Sequence, residues 1–241
     1  MLYGRTVSFS ALLIVALVNA TTELNANSLA YDISLNTSSL ESLGSGFVDI
    51  QLNPGASDAL LVSASIYGIS TDGMLGPSTD TGSASGSLAG SPLPYLSNTT
   101  TFNDIFEQIV WGNALNFTVC LCGPGIDGQS ITGTTFSVSL YAPDAITPVL
   151  TTSPDGSILH IDVNPPAGTV TTTSFPDANG VTWATIDGPT ACPEPTEALL
   201  ILTGVLVFWL RRTVRRHSMN DPEAGAATIT QPAGSGNIRV D

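Results

Sequence analysis

Positive charge is nearly absent from this chain of 241 residues. There is no lysine, and the six arginines are Arg5, Arg239 and a cluster of four, Arg211, Arg212, Arg215 and Arg216. Residues 21–197 carry 17 acidic side chains and no lysine or arginine, and the chain has a net charge of −14. Nucleic acid is excluded as a partner, because binding it needs clustered cations. A lysine nucleophile, an arginine phosphate clamp and a P-loop are disfavoured for the same reason.

The first 20 residues have the pattern of a secretory signal peptide. Arg5 supplies a positive start, Phe9–Val18 is an apolar run interrupted by Ser10, and Ala20 is a small residue suited to cleavage before Thr21. The alternative is a short buried N-terminal helix. We expect residues 1–20 to direct export, because a second membrane signal lies near the other end of the chain.

That second signal is the uncharged run Ala198–Leu210, which the arginine cluster follows directly. Its 13 residues would span roughly 20 Å as a helix, against a hydrocarbon core of about 30 Å. Bilayer thinning and snorkelling by Arg211 and Arg212 can absorb part of this mismatch. We expect a short transmembrane helix at 198–210 with its basic end in the cytoplasm, and a disordered cytoplasmic tail within 211–241. The alternative for such a run is a core helix of a soluble domain.

Pro193-Glu194-Pro195, then the apolar run, then Arg211, Arg212, Arg215 and Arg216 together resemble a PEP-CTERM sorting signal. The resemblance implies an exosortase-type processing enzyme as partner and a bacterial envelope rich in exopolysaccharide. Two features depart from the pattern: Cys192 precedes the motif, and 25 residues follow the arginine cluster. A plain single-pass anchor is therefore the alternative.

The exported body resembles one PEP-CTERM family of unknown function. The similar stretches are Tyr31–Ser34, Gln51–Gly55, Thr101–Asp104 and Phe136–Tyr141. This resemblance implies a β-rich exported body and supplies no activity.

Apolar and polar residues alternate with period two in five segments of the body, residues 29–35, 48–52, 115–121, 136–140 and 159–163. Each segment predicts a strand with an apolar row in the core and a polar row in solvent. Ala59–Ile69 and Val170–Phe175 predict two weaker strands. Gly- and Pro-containing turn signals separate the segments. We expect an all-β antiparallel sandwich or jelly roll over 21–185, and a linker over 186–197. Residues 73–90 are expected to form a long surface loop, and Thr101–Trp111 is left open between helix and strand.

The three cysteines are Cys120, Cys122 and Cys192. Cys120 and Cys122 are two residues apart on a predicted strand, so both point to one face. A direct bridge between them would be strained. In an exported chain Cys192 can pair with the strand instead, which would tie the linker to the sheet. Free thiols are the equally favoured alternative.

No residue pattern singles out an active site, a metal site or a cofactor. Asp58, Asp72 and Asp80 flank loops and are at most weak calcium ligands, since no run of closely spaced ligands exists. His160 and Asp162 share a strand face, but serine is so abundant that a serine near this pair is expected by chance and does not indicate a Ser-His-Asp site. Trp111, Trp183 and Tyr67 are candidates for a sugar-binding platform, and core positions are the commoner role for both tryptophans.

We therefore expect a non-enzymatic exported envelope or extracellular-matrix protein, held in or released from the membrane through its C-terminal signal. Its acidic, cation-free surface would repel anionic polysaccharide unless divalent cations bridge the two. One alternative is a carbohydrate-binding module for exopolysaccharide. The other is a hydrolase, which would need two carboxylates about 5–9.5 Å apart in a cleft.

Overall fold

The computed structural model describes residues 28–127, 131–164 and 169–192. The described residues are almost all strand, turn or loop, with a short 3-10 helix at Ser38–Leu43 and one helical turn at Pro124–Asp127. The strands in chain order are β1 Leu29–Asn36, β2 Ser45–Pro54, β3 Ser63–Thr71, β4 Met74–Thr81, β5 Ala84–Ser85, β6 Tyr95–Ser97, β7 Asp104–Val110, β8 Ala114–Cys122, β9 Thr134–Tyr141, β10 Ser157–Asn164, β11 Thr169–Ser174 and β12 Ala184–Ala191.

The strands form two sheets of six. The first sheet has the order β12-β1-β8-β3-β6-β5, and the second has the order β11-β10-β9-β2-β7-β4. Every pair of neighbouring strands is antiparallel. The prediction of an all-β, antiparallel fold is confirmed.

One hydrophobic cluster contains the inward rows of both sheets. It includes Ile33 and Val119 from the first sheet, and Ile50 and Phe136 from the second. The alternation of apolar residues explains this arrangement, because side chains two apart on a strand point to the same face. The two sheets therefore share one core.

Two segments that the sequence did not predict as strands are strands in the structure. Residues 73–90, expected to be a surface loop, contain β4 and β5, and residues 186–191 of the expected linker lie in β12. Both β4 and β12 are sheet edges, and each has a break in its pairing register around a proline, Pro77 and Pro189. Proline fits a strand only at an edge or a bulge, where its missing N–H is not needed. These prolines and the neighbouring glycines also favour a loop in the sequence, which is why neither segment is predicted as a strand.

Thr101–Trp111 contains β7, which settles the assignment left open by the sequence. Its inward residues are Ile105, Glu107 and Ile109, and the glutamate among them interrupts the apolar alternation. The prediction that the polar row of each strand faces solvent is wrong for Asp49 of β2, which is only 4% exposed.

Within the described ranges, no helix is long and apolar enough to cross a bilayer. The predicted signal peptide at 1–20, the transmembrane helix at 198–210 and the segment 211–241 lie outside these ranges.

Candidate functional site

The outer face of the second sheet has three aromatic rings beside two buried carboxylates at its centre. Phe47 and Asp49 lie on β2, Asp104 and Phe106 on β7, and Tyr141 on β9. Strand pairing brings these residues together, since Asp49 is opposite Phe106 and Phe47 is opposite Tyr141. We call this set of five the acidic–aromatic face.

The three rings of this face pack on one another. Phe47 and Phe106 are stacked, with ring centroids 4.8 Å apart and an interplanar angle of 11°. Tyr141 meets Phe106 edge to face at 5.5 Å. A sugar-binding platform needs a flat ring face open to the ligand, whereas the stacked faces of Phe47 and Phe106 are turned toward each other. All three rings are only partly exposed.

Asp49 and Asp104 are 4% and 9% exposed. Gln51 Nε2 donates a hydrogen bond of 2.6 Å to Asp49 Oδ2. The other oxygen, Oδ1, is buried in both aspartates and has no hydrogen-bond partner among the described residues. Burial raises the pKa of Asp49 to about 7, against a lowering by the Gln51 bond and with a further rise from the charge of Asp104.

A ladder of amides along β2 holds the Asp49 carboxylate in place. Asn53 Nδ2 donates to Gln51 Oε1 at 2.8 Å, and the backbone N–H of Asn103 donates to Asn53 Oδ1 at 2.7 Å. Each amide is fixed by the next, so the N–H that Gln51 turns toward Asp49 is set in direction before any ligand arrives.

In chelator-containing buffer, the free energy of unfolding should fall as the pH rises from about 4 to about 7. The raised pKa means that folded Asp49 holds its proton more tightly than unfolded Asp49, so ionisation opposes folding. Three pH units correspond to about 4 kcal/mol at most. Asp49→Asn removes the ionisation and keeps the side-chain shape. Urea unfolding at pH 4.5 and pH 8 should show a smaller pH effect in Asp49→Asn than in the parent chain, and equal slopes would contradict the assignment.

His160 does not form the arrangement that its strand position suggested. Its Nε2 contacts Asp155 Oδ2 at 3.0 Å, while Asp162 Oδ1 accepts from Thr135 Oγ1 at 2.6 Å. Burial raises the pKa of Asp155. The hydrogen bonds from Ser153 and from the Ser157 N–H, together with the His160 charge, outweigh this effect, so the pKa is lowered overall. Ser137 lies opposite His160 in register, yet no hydrogen bond joins these two side chains in the described structure. The geometry therefore assembles a histidine–carboxylate pair without an attached nucleophile.

The proposed tryptophan platform is wrong. Trp111 and Trp183 are 5% and 7% exposed and belong to the core cluster. Their indole N–H groups are buried with no hydrogen-bond partner among the described residues. Tyr67 is half-buried on β3 of the first sheet. These three side chains do not form a surface that could stack on a sugar.

Cys120 and Cys192 are joined by a disulfide across 72 residues, with their Cα atoms 5.8 Å apart. Cys122 stays a thiol, and its Sγ lies 3.1 Å from Ser63 Oγ. Cys120 is on β8, which is separated from the edge strand β12 by β1. The bridge therefore ties the end of the last strand to the interior of the first sheet.

The structure does not bring the candidate calcium ligands together. Asp58 accepts from Thr132 Oγ1 at 2.6 Å, and Asp72 accepts from Asn113 Nδ2 at 2.7 Å, while Asp80 lies on the edge strand β4. Bonds from Asn113 and from the Ala114 N–H lower the pKa of Asp72 to about 2. Nowhere in the described ranges do three or more histidine, cysteine or acidic side chains converge as a metal cluster.

A shallow groove of about 450 Å³ lies beside the β3–β4 turn, lined by Ile69, Ser70, Thr71, Gly73, Met74, Leu75, Leu88 and Ala89. Its lining has no charged side chain. The Glu107 carboxylate bonds to the lining and already accepts hydrogen bonds from Ser87 Oγ and from the N–H groups of Leu88 and Ala89. The groove offers shape without a group that could orient a ligand.

The predicted sorting residues, Pro193, Glu194, Pro195, Arg211, Arg212, Arg215 and Arg216, lie outside the described residues. Comparison with known proteins adds no assignment: no protein-family model, no curated protein and no solved structure matches the chain.

Proposed function

We propose that the chain is a non-enzymatic exported protein of the cell envelope or extracellular matrix. In this proposal residues 1–20 direct export, an antiparallel sandwich or jelly-roll body remains outside the cytoplasm, and the helix 198–210 holds it in the membrane. Exosortase-type processing at Pro193-Glu194-Pro195 would release or transfer the body. Exopolysaccharide is the surrounding polymer that the resemblance of the C-terminus implies.

The observation that carries this proposal is the disulfide between Cys120 and Cys192. Disulfides persist in oxidising compartments outside the cytoplasm and are rare within it. The cation-free acidic composition of residues 21–197 supports the same assignment, because it keeps a surface protein soluble without attracting nucleic acid or anionic lipid.

The bridge also fits the position of the sorting motif. Pro193 directly follows Cys192, so cleavage within Pro193–Thr196 would leave the disulfide and the twelve described strands in the released part. Processing would separate the folded body from the membrane segment without opening the fold.

The test is the mass of the mature protein in membrane and medium fractions, from hosts with and without the exosortase. We expect a chain that begins at Thr21 and ends near Pro193–Thr196 only where the enzyme is present. Glu194→Gln, inside the motif, should stay uncut, whereas its matched control Glu197→Gln should be processed. An intact C-terminus at Asp241 in the membranes of both hosts would contradict sorting and leave 198–210 as a permanent anchor.

A further inference from the structure

The acidic–aromatic face contains two buried carboxylate oxygens that no group satisfies. Asp49 and Asp104 lie on the neighbouring strands β2 and β7. Asp104 is opposite Gln51, two residues along β2 from Asp49, so the two aspartates are diagonal neighbours on one face. Such diagonal neighbours have Cα atoms about 7–8 Å apart. Each aspartate is more than nine-tenths buried, and its Oδ1 has no hydrogen-bond partner among the described residues.

Two adjacent buried carboxylates repel each other unless positive charge or a shared proton lies between them. Residues 21–197 contain no lysine or arginine that could supply the charge. The histidine of this sheet, His160, is already paired with Asp155. A neutralising cation for Asp49 and Asp104 must therefore come from outside residues 21–197.

The surroundings orient the Asp49 carboxylate before a ligand arrives. Asp49 Oδ2 is held by Gln51, which is held in turn by Asn53. This leaves Asp49 Oδ1 as its free acceptor. The packed rings of Phe47, Phe106 and Tyr141 lower the local dielectric, which strengthens the attraction of the two carboxylates for a cation.

We propose that Asp49 and Asp104 bind a calcium ion through their unpaired Oδ1 atoms on the outer face of the second sheet. Calcium accepts carboxylate oxygens at 2.3–2.6 Å in flexible geometry. With two carboxylate ligands from the chain and water in the remaining positions, the affinity should lie in the weak range of extracellular calcium modules, with Kd about 10⁻⁴–10⁻³ M. Magnesium is less suited, because it requires near-ideal octahedral geometry and gives up water reluctantly.

This site does not depend on the sorting signal, because all of its residues lie in the described body. It gives an acidic surface protein a specific position at which divalent cations can reduce repulsion from an anionic polymer. The sequence did not indicate it, because 55 residues separate the two aspartates and neither belongs to a calcium-loop motif.

The experiment uses the full-length chain purified in detergent and freed of metal with chelator. Thermal unfolding is followed at pH 7.5 with and without 10 mM Ca²⁺, and separately with Mg²⁺. At this concentration, roughly ten times the weaker Kd, calcium should raise Tm by about 3–5 °C, and magnesium should raise it less. Asp49→Asn and Asp104→Asn should each lose the shift. Both variants keep the side-chain shape, and Asp49→Asn removes a repulsive charge, so neither is expected to prevent folding.

Asp32→Asn is the matched control. Asp32 lies on the first sheet near Tyr67, is exposed, and accepts a hydrogen bond from Thr118 Oγ1 at 2.6 Å. It should keep the full calcium shift. A second readout is the luminescence of terbium bound in place of calcium and sensitised by a nearby tyrosine. Tyr141 is close enough to Asp49 and Asp104 for their charges to act on its hydroxyl. Tyr141→Phe should therefore reduce the emission, whereas Tyr67→Phe should not.

Two results would overturn the proposal. An unchanged Tm of the parent chain in 10 mM Ca²⁺ would mean that a proton shared by the two aspartates neutralises the pair. A shift that survives in both Asn variants would mean that calcium binds diffusely to the acidic surface.

Discussion

Replacement of both Cys120 and Cys192 by serine should lower the free energy of unfolding by about 4 kcal/mol. The bridge closes a separation of 72 residues, and most of its effect is expected from restricting the unfolded chain. The native contribution is local, since the bridge holds the end of the edge strand β12 against the sheet. Urea unfolding of the oxidised parent and of the double variant measures the difference.

Cys122→Ser is the control for this prediction. Cys122 is outside the bridge and half-buried, so its replacement should change stability by no more than about 0.5 kcal/mol. Non-reducing peptide mapping should recover Cys120 linked to Cys192 in both the parent and the control. A double variant that unfolds within 1 kcal/mol of the parent would show that the bridge does not stabilise the body, and a Cys122–Cys192 product would contradict the pairing itself.

Five of the strands could be predicted from strict alternation because their inward residues are consistently apolar. Residues 115–121 and 159–163, for example, alternate strictly and form the central parts of β8 and β10. The weaker strand predictions at 59–69 and 170–175 correspond to β3 and β11. The strands β4 and β12 could not be predicted, because they are edges with mostly exposed side chains. Their partners are fixed by backbone pairing, which leaves little trace in hydrophobic periodicity.

The acidic–aromatic face was beyond prediction for a different reason. Alternation places Asp49 correctly on the outer face of β2, but it does not show that rings from β7 and β9 cover that face. The pairing that brings Asp104 and Tyr141 next to Asp49 depends on strand order, which the sequence did not specify. For the cysteines, the sequence left two alternatives open: pairing of Cys192 with a strand cysteine, or free thiols. The structure shows the bridge between Cys120 and Cys192.

Glu107→Ala should be among the most destabilising single substitutions in the body, by about 3–5 kcal/mol. Glu107 points into the core and is 0% exposed. Its carboxylate accepts hydrogen bonds from Ser87 Oγ at 3.1 Å, Leu88 N–H at 2.6 Å and Ala89 N–H at 2.9 Å. Alanine would leave the buried Leu88 N–H without its acceptor and open a cavity, and both effects cost stability.

Glu107→Gln separates charge from shape. It keeps the volume and one acceptor oxygen, but its amide nitrogen would face an N–H donor, so an intermediate loss of about 1–2 kcal/mol is expected. Burial raises the pKa of Glu107 even though its three hydrogen bonds lower it. Ionisation of Glu107 therefore opposes folding as the pH rises through that pKa, and the glutamine variant should lack this component.

Hydrogen exchange locates the effect of these substitutions. The amides of Leu88 and Ala89 should exchange faster in Glu107→Ala than in the parent, because the carboxylate is what holds the 86–90 turn against β7. Gln108→Ala is the matched control, since Gln108 is the next residue on β7 and its side chain is exposed on the opposite face; it should change stability by no more than about 0.5 kcal/mol. Equal losses in the two alanine variants would mean that the strand, and not the buried carboxylate, carries the stability of this region.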